Sequence, residues 1–258
     1  MNSLVIAQIT DCHLPNDPHQ YYRGIDVDQH LNRVVDDLLR LPEPVGMILW
    51  TGDLVHHGAA QGYQRLKARI AELPVPSVWI PGNHDDAQLM QQIGSQAGGG
   101  LNQRTVLAND WAIILLDSTS APDGRGGGSL AQSELDYLQQ QLQALDDRHC
   151  LVVLHHNPAP VESDWQDQIM LGNAGAFWAI LTASDNVRGV INGHVHQARD
   201  SDVEGVRVMM TPSTSVQFKA GCGEFTLEDD AVLQAPAYRL LKLSSDGQIE
   251  TLIKRVAG

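Results

Sequence analysis

Short apolar runs bounded by turn residues recur along the chain at 4–9, 46–50, 77–80, 111–116, 151–154, 187–191, 206–210, 238–243 and 248–254. Each has the length and composition of a buried strand. Between them, segments 26–41, 60–73, 86–96, 129–145 and 174–182 space their apolar residues by three and four, as helices with one buried face do. Strands and helices alternate over most of the chain, whereas the last strands follow one another directly. That order predicts sheets that begin parallel and finish antiparallel, with helices outside. No internal repeat or low-complexity linker interrupts it, so a single domain over 1–258 is expected. Two glycine-rich stretches, GSQAGGGLN near residue 98 and PDGRGGGSL near residue 126, lack the Lys-Ser/Thr ending of a phosphate loop and are expected to be mobile surface turns. The irregular stretch 211–236, rich in Pro, Ser, Thr and Gly, is long enough to be read as a functional loop near the active site.

Composition adds constraints on partners. The 43% hydrophobic and 19% charged residues are ordinary for a folded globular chain. With 31 acidic against 17 basic residues the formal charge is −14, and no Lys/Arg cluster appears, so neither nucleic acid nor a membrane surface is expected as a partner. An anionic substrate would have to be attracted by something other than lysine or arginine. Cys12, Cys150 and Cys222 are odd in number, widely spaced and without a CxxC pair, which suits a reduced compartment. The opening MNSLVIAQITDCHL has no basic leader and reads as a first strand, and no run reaches the roughly 18 apolar residues of a membrane span; a cytoplasmic location is expected.

The chemistry collects where strands end. Ile9 leads into Thr10, Asp11, Cys12 and His13; Trp50 into Thr51, Gly52 and Asp53; Ile80 into Pro81, Gly82, Asn83, His84 and Asp85; Leu154 into His155 and His156; Ile191 into Gly193, His194, Val195 and His196. In α/β sheets, ligand sites form at the strand ends and in the turns that follow. Carboxylate, amide and imidazole donors together suit iron, manganese or zinc, whereas oxygen donors alone would indicate magnesium or calcium. In D-x-H and H-x-H an extended turn would let both side chains point the same way. Glycines before Asp53, Asn83 and His194 permit tight turns and close backbone approach. A lone D-x-H means little, and a single Asp at such a place is as readily a helix cap. Five such ends in one chain are much harder to obtain by accident.

In order, D-x-H, G-D, G-N-H-D, H and G-H-x-H resemble the motif series of the calcineurin-like metallophosphoesterases. The stretch from Gly193 through TPSTSVQFK and CGEFTL to Leu243 is similar to the bacterial class III 3',5'-cyclic-AMP phosphodiesterases. The resemblance implies a four-layer αββα sandwich, two mixed β-sheets packed face to face with helices outside. It also implies two metal ions, iron and/or manganese or else zinc. One would be held by Asp11, His13 and His196, the other by Asn83, His155 and His194, with Asp53 bridging. Ions roughly 4 Å apart would hold the attacking hydroxide and bind the phosphate oxygens. The same resemblance makes His84 the general acid toward the departing alkoxide, and Asp85 the residue that orients it. His13, Asp53, Asn83, His84 and His196 would face the substrate. Between His155 and His156 the first is preferred as ligand because it directly follows the apolar run.

Other branches fit less well. Purple acid phosphatases carry Tyr three residues beyond the bridging Asp, where this chain has His56, and protein Ser/Thr phosphatases carry GDxVDRG and GNHE. A small diesterase remains, and the expected partner is a cyclic nucleotide, cyclic AMP giving AMP; a homodimer is also admitted. His56, His57, Arg125, Asn157 and the loop around Phe218 and Cys222 are candidates for a nucleotide pocket. Two alternatives stand beside this reading: a broader diesterase for glycerophosphodiesters or 2',3'-cyclic nucleotides, and a binding module that has lost catalysis.

Overall fold

A computed structural model describes residues 3–96 and 100–256. The first sheet combines β1 (Leu4–Ile9), β2 (Met47–Thr51), β3 (Ser77–Ile80), β10 (Ala237–Leu243) and β11 (Ile249–Arg255) in the order β11-β10-β1-β2-β3. The second combines β4 (Thr105–Ala108), β5 (Trp111–Leu115), β6 (His149–Val153), β7 (Val187–Asn192), β8 (Arg199–Val203) and β9 (Val206–Met210) in the order β4-β5-β6-β7-β9-β8. β1, β2 and β3 run parallel, as do β5, β6, β7 and β9, while β10, β11, β4 and β8 join antiparallel. Both sheets are therefore mixed, with parallel strands at the centre of each.

Period-two alternation sorts the strand residues into layers. Ile6, Leu49 and Val78 of the first sheet meet Ile113, Leu151, Val153 and Ile191 of the second in a core between the sheets. The opposite face of the first sheet, with Ala7, Ile48 and Trp50, packs under α1 (Val27–Leu39), α2 (Ala60–Ala71) and α3 (Ala87–Ser95). The opposite face of the second, with Ile114, Val152 and Val190, packs under α4 (Gln132–Ala144) and α6 (Ala174–Thr182). These are the four layers of the αββα expectation. Helix α1 shows the local logic. Asp26 caps it by accepting the Gln29 N–H at 2.9 Å, and its buried face, Val27, Leu31, Val34, Val35 and Leu38, repeats at helical spacing.

Two strands and one short helix, α5 (Asp164–Asp167), lie outside the sequence expectation. β8, Arg-Asp-Ser-Asp-Val, is a polar edge strand with no apolar run to read, and β4 is a four-residue edge strand with no fully buried residue whose apolar stretch, Val106 to Ala108, is only three residues long. Of the first glycine-rich stretch, residues 97–99 lie outside the described residues. The second is not a free surface turn: the Gly126 carbonyl is bonded to the His156 ring at 3.1 Å. Among the described residues no helix is long and apolar enough to cross a membrane.

The inter-sheet core is buried and close-packed, so truncation there leaves a cavity at a large cost. Leu151→Ala, at a fully buried position, is expected to lower unfolding stability by about 2–5 kcal/mol in urea titration. Leu252→Ala, on the edge strand at 57% exposure, is expected to change it by less than about 0.5 kcal/mol.

Candidate metal centre

The carboxyl ends of β1, β2 and β3 meet those of β6 and β7. Beyond β1, the Asp11 N–H donates to the Gly52 carbonyl at 3.0 Å and the His13 N–H to the Asp53 carbonyl at 2.8 Å, lacing two loops of the first sheet together. The Asp11 carboxylate accepts the Thr10 hydroxyl at 2.8 Å and, across the sheet boundary, the His194 N–H at 3.1 Å. His196 Nε2 lies 3.2 Å from Asp11 Oδ1 and 3.3 Å from His13 Nε2. Asp53 stands between this group and a second one, with Oδ2 3.6 Å from His13 Nε2 and Oδ1 3.4 Å from His155 Nε2. Asn83 Oδ1 is 3.2 Å from the same His155 nitrogen. Ligand atoms of Asp11, His13 and His196 all lie within 4.8 Å of one another, as do those of Asp53, His155 and His194.

Asp11, His13, Asp53, His194 and His196 all have positive φ, between 48° and 70°. D-x-H and H-x-H are thus not extended turns. In each, two left-handed residues flank one whose side chain is buried in a core, Cys12 in the first and Val195 in the second. Gly52, at φ +91°, is needed for a different reason: a β-carbon there would sit 2.7 Å from His155 Cγ.

Hydrogen bonds fix which imidazole nitrogen is free. His155 Nδ1 is 2.9 Å from the Thr51 carbonyl, His196 Nδ1 2.6 Å from the Val216 carbonyl, and His194 Nε2 3.1 Å from the Ile169 carbonyl. A carbonyl only accepts, so each of these nitrogens carries the hydrogen and the other has a lone pair to offer. Burial lowers the pKa values of His13 and His194 well below the usual imidazole range, keeping them in the neutral form that binds metal. His155 is different. Burial opposes its charge, but the Asp53 carboxylate raises its pKa to about 9, while burial of Asp53 is outweighed by His155, His84 and His13, which hold it well below the usual carboxylate value. With Nδ1 committed, His155 Nε2 faces two oxygens that only accept, so that point requires a positive species, either a proton or a metal. The donor set therefore fits metal ions of the manganese, iron or zinc kind.

His156 has neither nitrogen to spare. Nδ1 bonds the Ser118 hydroxyl at 2.7 Å and Nε2 the Gly126 carbonyl at 3.1 Å, and burial pushes its pKa down to about 3.

A cavity of about 240 Å³ opens on this centre, bordered by His13, Asp53, Asn83, His84, His194 and His196. The His84 ring stands edge-on to His13 with centroids 4.9 Å apart and stacks on His56 at 4.7 Å, while its backbone N–H donates to Asp53 Oδ1 at 2.8 Å. Asp85 does not orient His84. Its carboxylate accepts the N–H groups of Leu54, Val55 and Gly82 at 3.1, 3.0 and 2.9 Å and the Tyr63 hydroxyl at 2.8 Å, so it braces the loop that carries Asp53 and Asn83. Asp86, not Asp85, caps the following helix.

Residues 4–198 match the family described as calcineurin-like phosphoesterase. The chain is a calcineurin-like phosphoesterase. It is 36% identical over 252 residues to the 3',5'-cyclic adenosine monophosphate phosphodiesterase CpdA of Escherichia coli (strain K12), covering 98% of this chain and 90% of that protein. A 3',5'-cyclic-nucleotide phosphodiesterase of Nostoc sp. is 33% identical, with 97% of this chain and 92% of that one covered. Among solved structures, a dimetal phosphatase from Danio rerio shares the fold with a TM-score of 0.67, at 13% identity over 98% of this chain and 99% of that one.

The phosphoesterase fold thus brings Asp11, His13, Asp53, Asn83, His155, His194 and His196 into one place, with His84 beside them. Of the residues considered for a nucleotide pocket, Arg125 and Phe218 border the cavity and His56 touches His13 and His84 from behind. His57, Asn157 and Cys222 are not part of the cavity lining, and Asn157 is instead buried, its side-chain amide bonded to the Ala159 carbonyl at 2.8 Å. Gly126 and five further residues, Tyr22, Arg23, Trp165, Ile169 and Phe225, complete the lining. None of them follows an apolar run closely enough to have been picked out as a strand-end residue; Tyr22, Arg23 and Phe225 are aromatic or cationic residues in irregular segments, Trp165 lies on the short α5, and Ile169 carries no such signal.

Metal loading should be visible as stability. Manganese at about 100 times its dissociation constant is expected to raise unfolding stability by about 2.7 kcal/mol, reversed by chelator, and Asp53→Asn should lose most of that gain. His155→Gln should lower bound metal in elemental analysis, whereas His156→Gln should retain the full complement.

Proposed function

We propose that this phosphoesterase hydrolyses 3',5'-cyclic nucleotides, converting cyclic AMP to AMP, at a dinuclear metal centre. The observation that carries the reading is the convergence of two donor groups and His84 on one cavity, in a chain that aligns almost end to end with relatives named as cyclic-nucleotide phosphodiesterases.

Asp11, His13 and His196 would hold one ion, Asn83, His155 and His194 the other, and Asp53 would serve both. The hydrogen bonds that His155, His196 and His194 donate to the Thr51, Val216 and Ile169 carbonyls support these roles, because each orients an imidazole with its free nitrogen turned inward. When bound, iron, manganese or zinc would supply Lewis-acid charge at the phosphoryl oxygens and a water ionised near neutral pH. Two divalent charges against the carboxylates of Asp11 and Asp53 leave a net positive site in an acidic chain, which removes the need for lysine at the phosphate.

His84 is the general acid in this reading. Its ring borders the cavity and is held on two sides by His13 and His56, and its backbone is tied to Asp53, so the proton it carries is delivered at a fixed place beside the centre. The leaving group from cyclic AMP is the sugar O3', an alkoxide of high pKa, and a poor leaving group gains most from a positioned acid. Protonation there leaves the phosphate on O5' and gives the 5' product.

His84→Ala is expected to lower kcat for cyclic AMP by about 100- to 10,000-fold with metal content unchanged. Bis(p-nitrophenyl) phosphate, whose leaving group departs without help, should lose far less. Equal losses on both substrates would remove His84 from the acid role. Cleavage of glycerophosphodiesters or 2',3'-cyclic nucleotides without cleavage of cyclic AMP would overturn the substrate assignment.

A further inference from the structure

One wall of the cavity has no part in metal binding or proton transfer. The Phe218 ring lies flat against the His196 imidazole, with centroids 4.1 Å apart and planes within 15°. Phe225 stands edge-on to Phe218 at 5.1 Å, and Trp165 on α5 stands edge-on to both, at 5.2 and 5.4 Å. Phe225 remains 43% exposed, a large aromatic ring left open at the mouth of a polar site. The Arg23 guanidinium lies over that ring, 4.2 Å from its centroid. Arg23 also reaches the Tyr22 hydroxyl at 3.3 Å, and among the described residues no carboxylate pairs with it. Arg33, Arg40, Arg148, Arg188 and Arg255 also lack a carboxylate partner, but among the described residues Arg23 is the one arginine of this kind that borders the cavity. Arg125, the other arginine of the cavity, is paired with Asp123 at 3.3 Å.

We propose that Phe225 and Arg23 form a clamp for the base of a purine nucleotide, a site that rests on the cyclic-nucleotide reading above and adds where the base lies. A nucleobase presents two π faces, and a phenyl ring and a planar guanidinium are both suited to stack on one. The layout has the order of the ligand: His196 at the phosphate end, Phe218 against it, then Phe225 one ring further out. At 4.2 Å there is no gap between Arg23 and Phe225 for a base. The exposed Arg23 side chain therefore has to swing off the ring and settle on the outer face of the incoming base, while Trp165 and Phe218 hold Phe225 in place. The larger purine face makes more of this contact than a pyrimidine, so the clamp favours purine nucleotides by stacking rather than by reading their hydrogen-bonding edges.

Calorimetric titration of the manganese-supplemented protein with AMP and with ribose 5-phosphate separates the base from the phosphate. The wild type is expected to bind AMP at least about tenfold more tightly than ribose 5-phosphate. Phe225→Ala and Arg23→Ala should bring that ratio toward unity with ribose 5-phosphate affinity unchanged, and Phe225→Tyr, which keeps a ring, should preserve it. In turnover, the two alanine variants should raise KM for cyclic AMP about tenfold with kcat retained. A wild-type ratio near unity, or a ratio untouched by both alanine variants, would overturn the clamp. So would Arg23→Ala weakening both ligands equally, which would make Arg23 a phosphate contact. Base discrimination in a protein that leaves cyclic AMP intact would sink the catalytic reading and keep the clamp; turnover of cyclic AMP without discrimination would do the reverse.

Discussion

A carboxylate almost sealed from water must be matched by positive charge or by hydrogen-bond donors, and Asp53, with 3% of its side chain exposed, is matched from both sheets at once. From the first sheet come His13 Nε2 and the His84 backbone N–H; from the second comes His155 Nε2. Its position between the two donor groups means that neither can form unless the carboxyl ends of the sheets face each other at a fixed rotation. The rest of the architecture serves that requirement. The apolar layer of Ile6, Leu49, Leu151 and Ile191 holds the sheets together, but apolar contact alone fixes rotation weakly, because such side chains can slide and repack. Directional contacts supply the rest. Gln8 of β1 donates to the Thr51 hydroxyl at 2.9 Å and to the Asn192 carbonyl of β7 at 3.2 Å. Arg239 of β10, 1% exposed, reaches Thr211, Thr251, Asp200 and the Met210 carbonyl. A buried polar seam of this kind is satisfied in one alignment only.

Much of this was legible in the chain because burial leaves a mark on composition. β1, β2, β6 and β7 are central and β3 is an edge strand covered on both faces; all five read as apolar runs, so the residues closing them could be found by reading to where each run stops. The edge strand β8 left no such mark, and β4 only the three apolar residues Val106, Leu107 and Ala108. Asp85 shows a different limit: adjacency in sequence suggested a partnership with His84, but its carboxylate meets the backbone N–H groups of Leu54, Val55 and Gly82, and donors carried by the main chain have no residue signature. The carbonyls of Thr51, Val216 and Ile169, which set the imidazole tautomers, were invisible for the same reason. The choice between His155 and His156 becomes a matter of geometry once Ser118 and Gly126 are seen to occupy both nitrogens of the second ring.

The left-handed backbone at Asp11, His13, Asp53, His194 and His196 is the feature furthest from anything composition could show. Each such residue costs about 1 kcal/mol relative to ordinary backbone, and glycine would be the conformationally cheaper choice at every one of them. A glycine has no donor atom to offer. The chain therefore places its ligating side chains where backbone energetics argue against any side chain at all, and the cost must be offset nearby. It is offset by specific contacts: the Asp11 and His13 N–H groups on the Gly52 and Asp53 carbonyls, the Val195 N–H on the Gly193 carbonyl, and the burial of Cys12 and Val195 between each left-handed pair. Those bonds are made by main-chain groups and core side chains, not by the donors themselves. The left-handed conformations that aim the donors are thus held by hydrogen bonds and packing outside the donor atoms themselves, which leaves those atoms available to a cation.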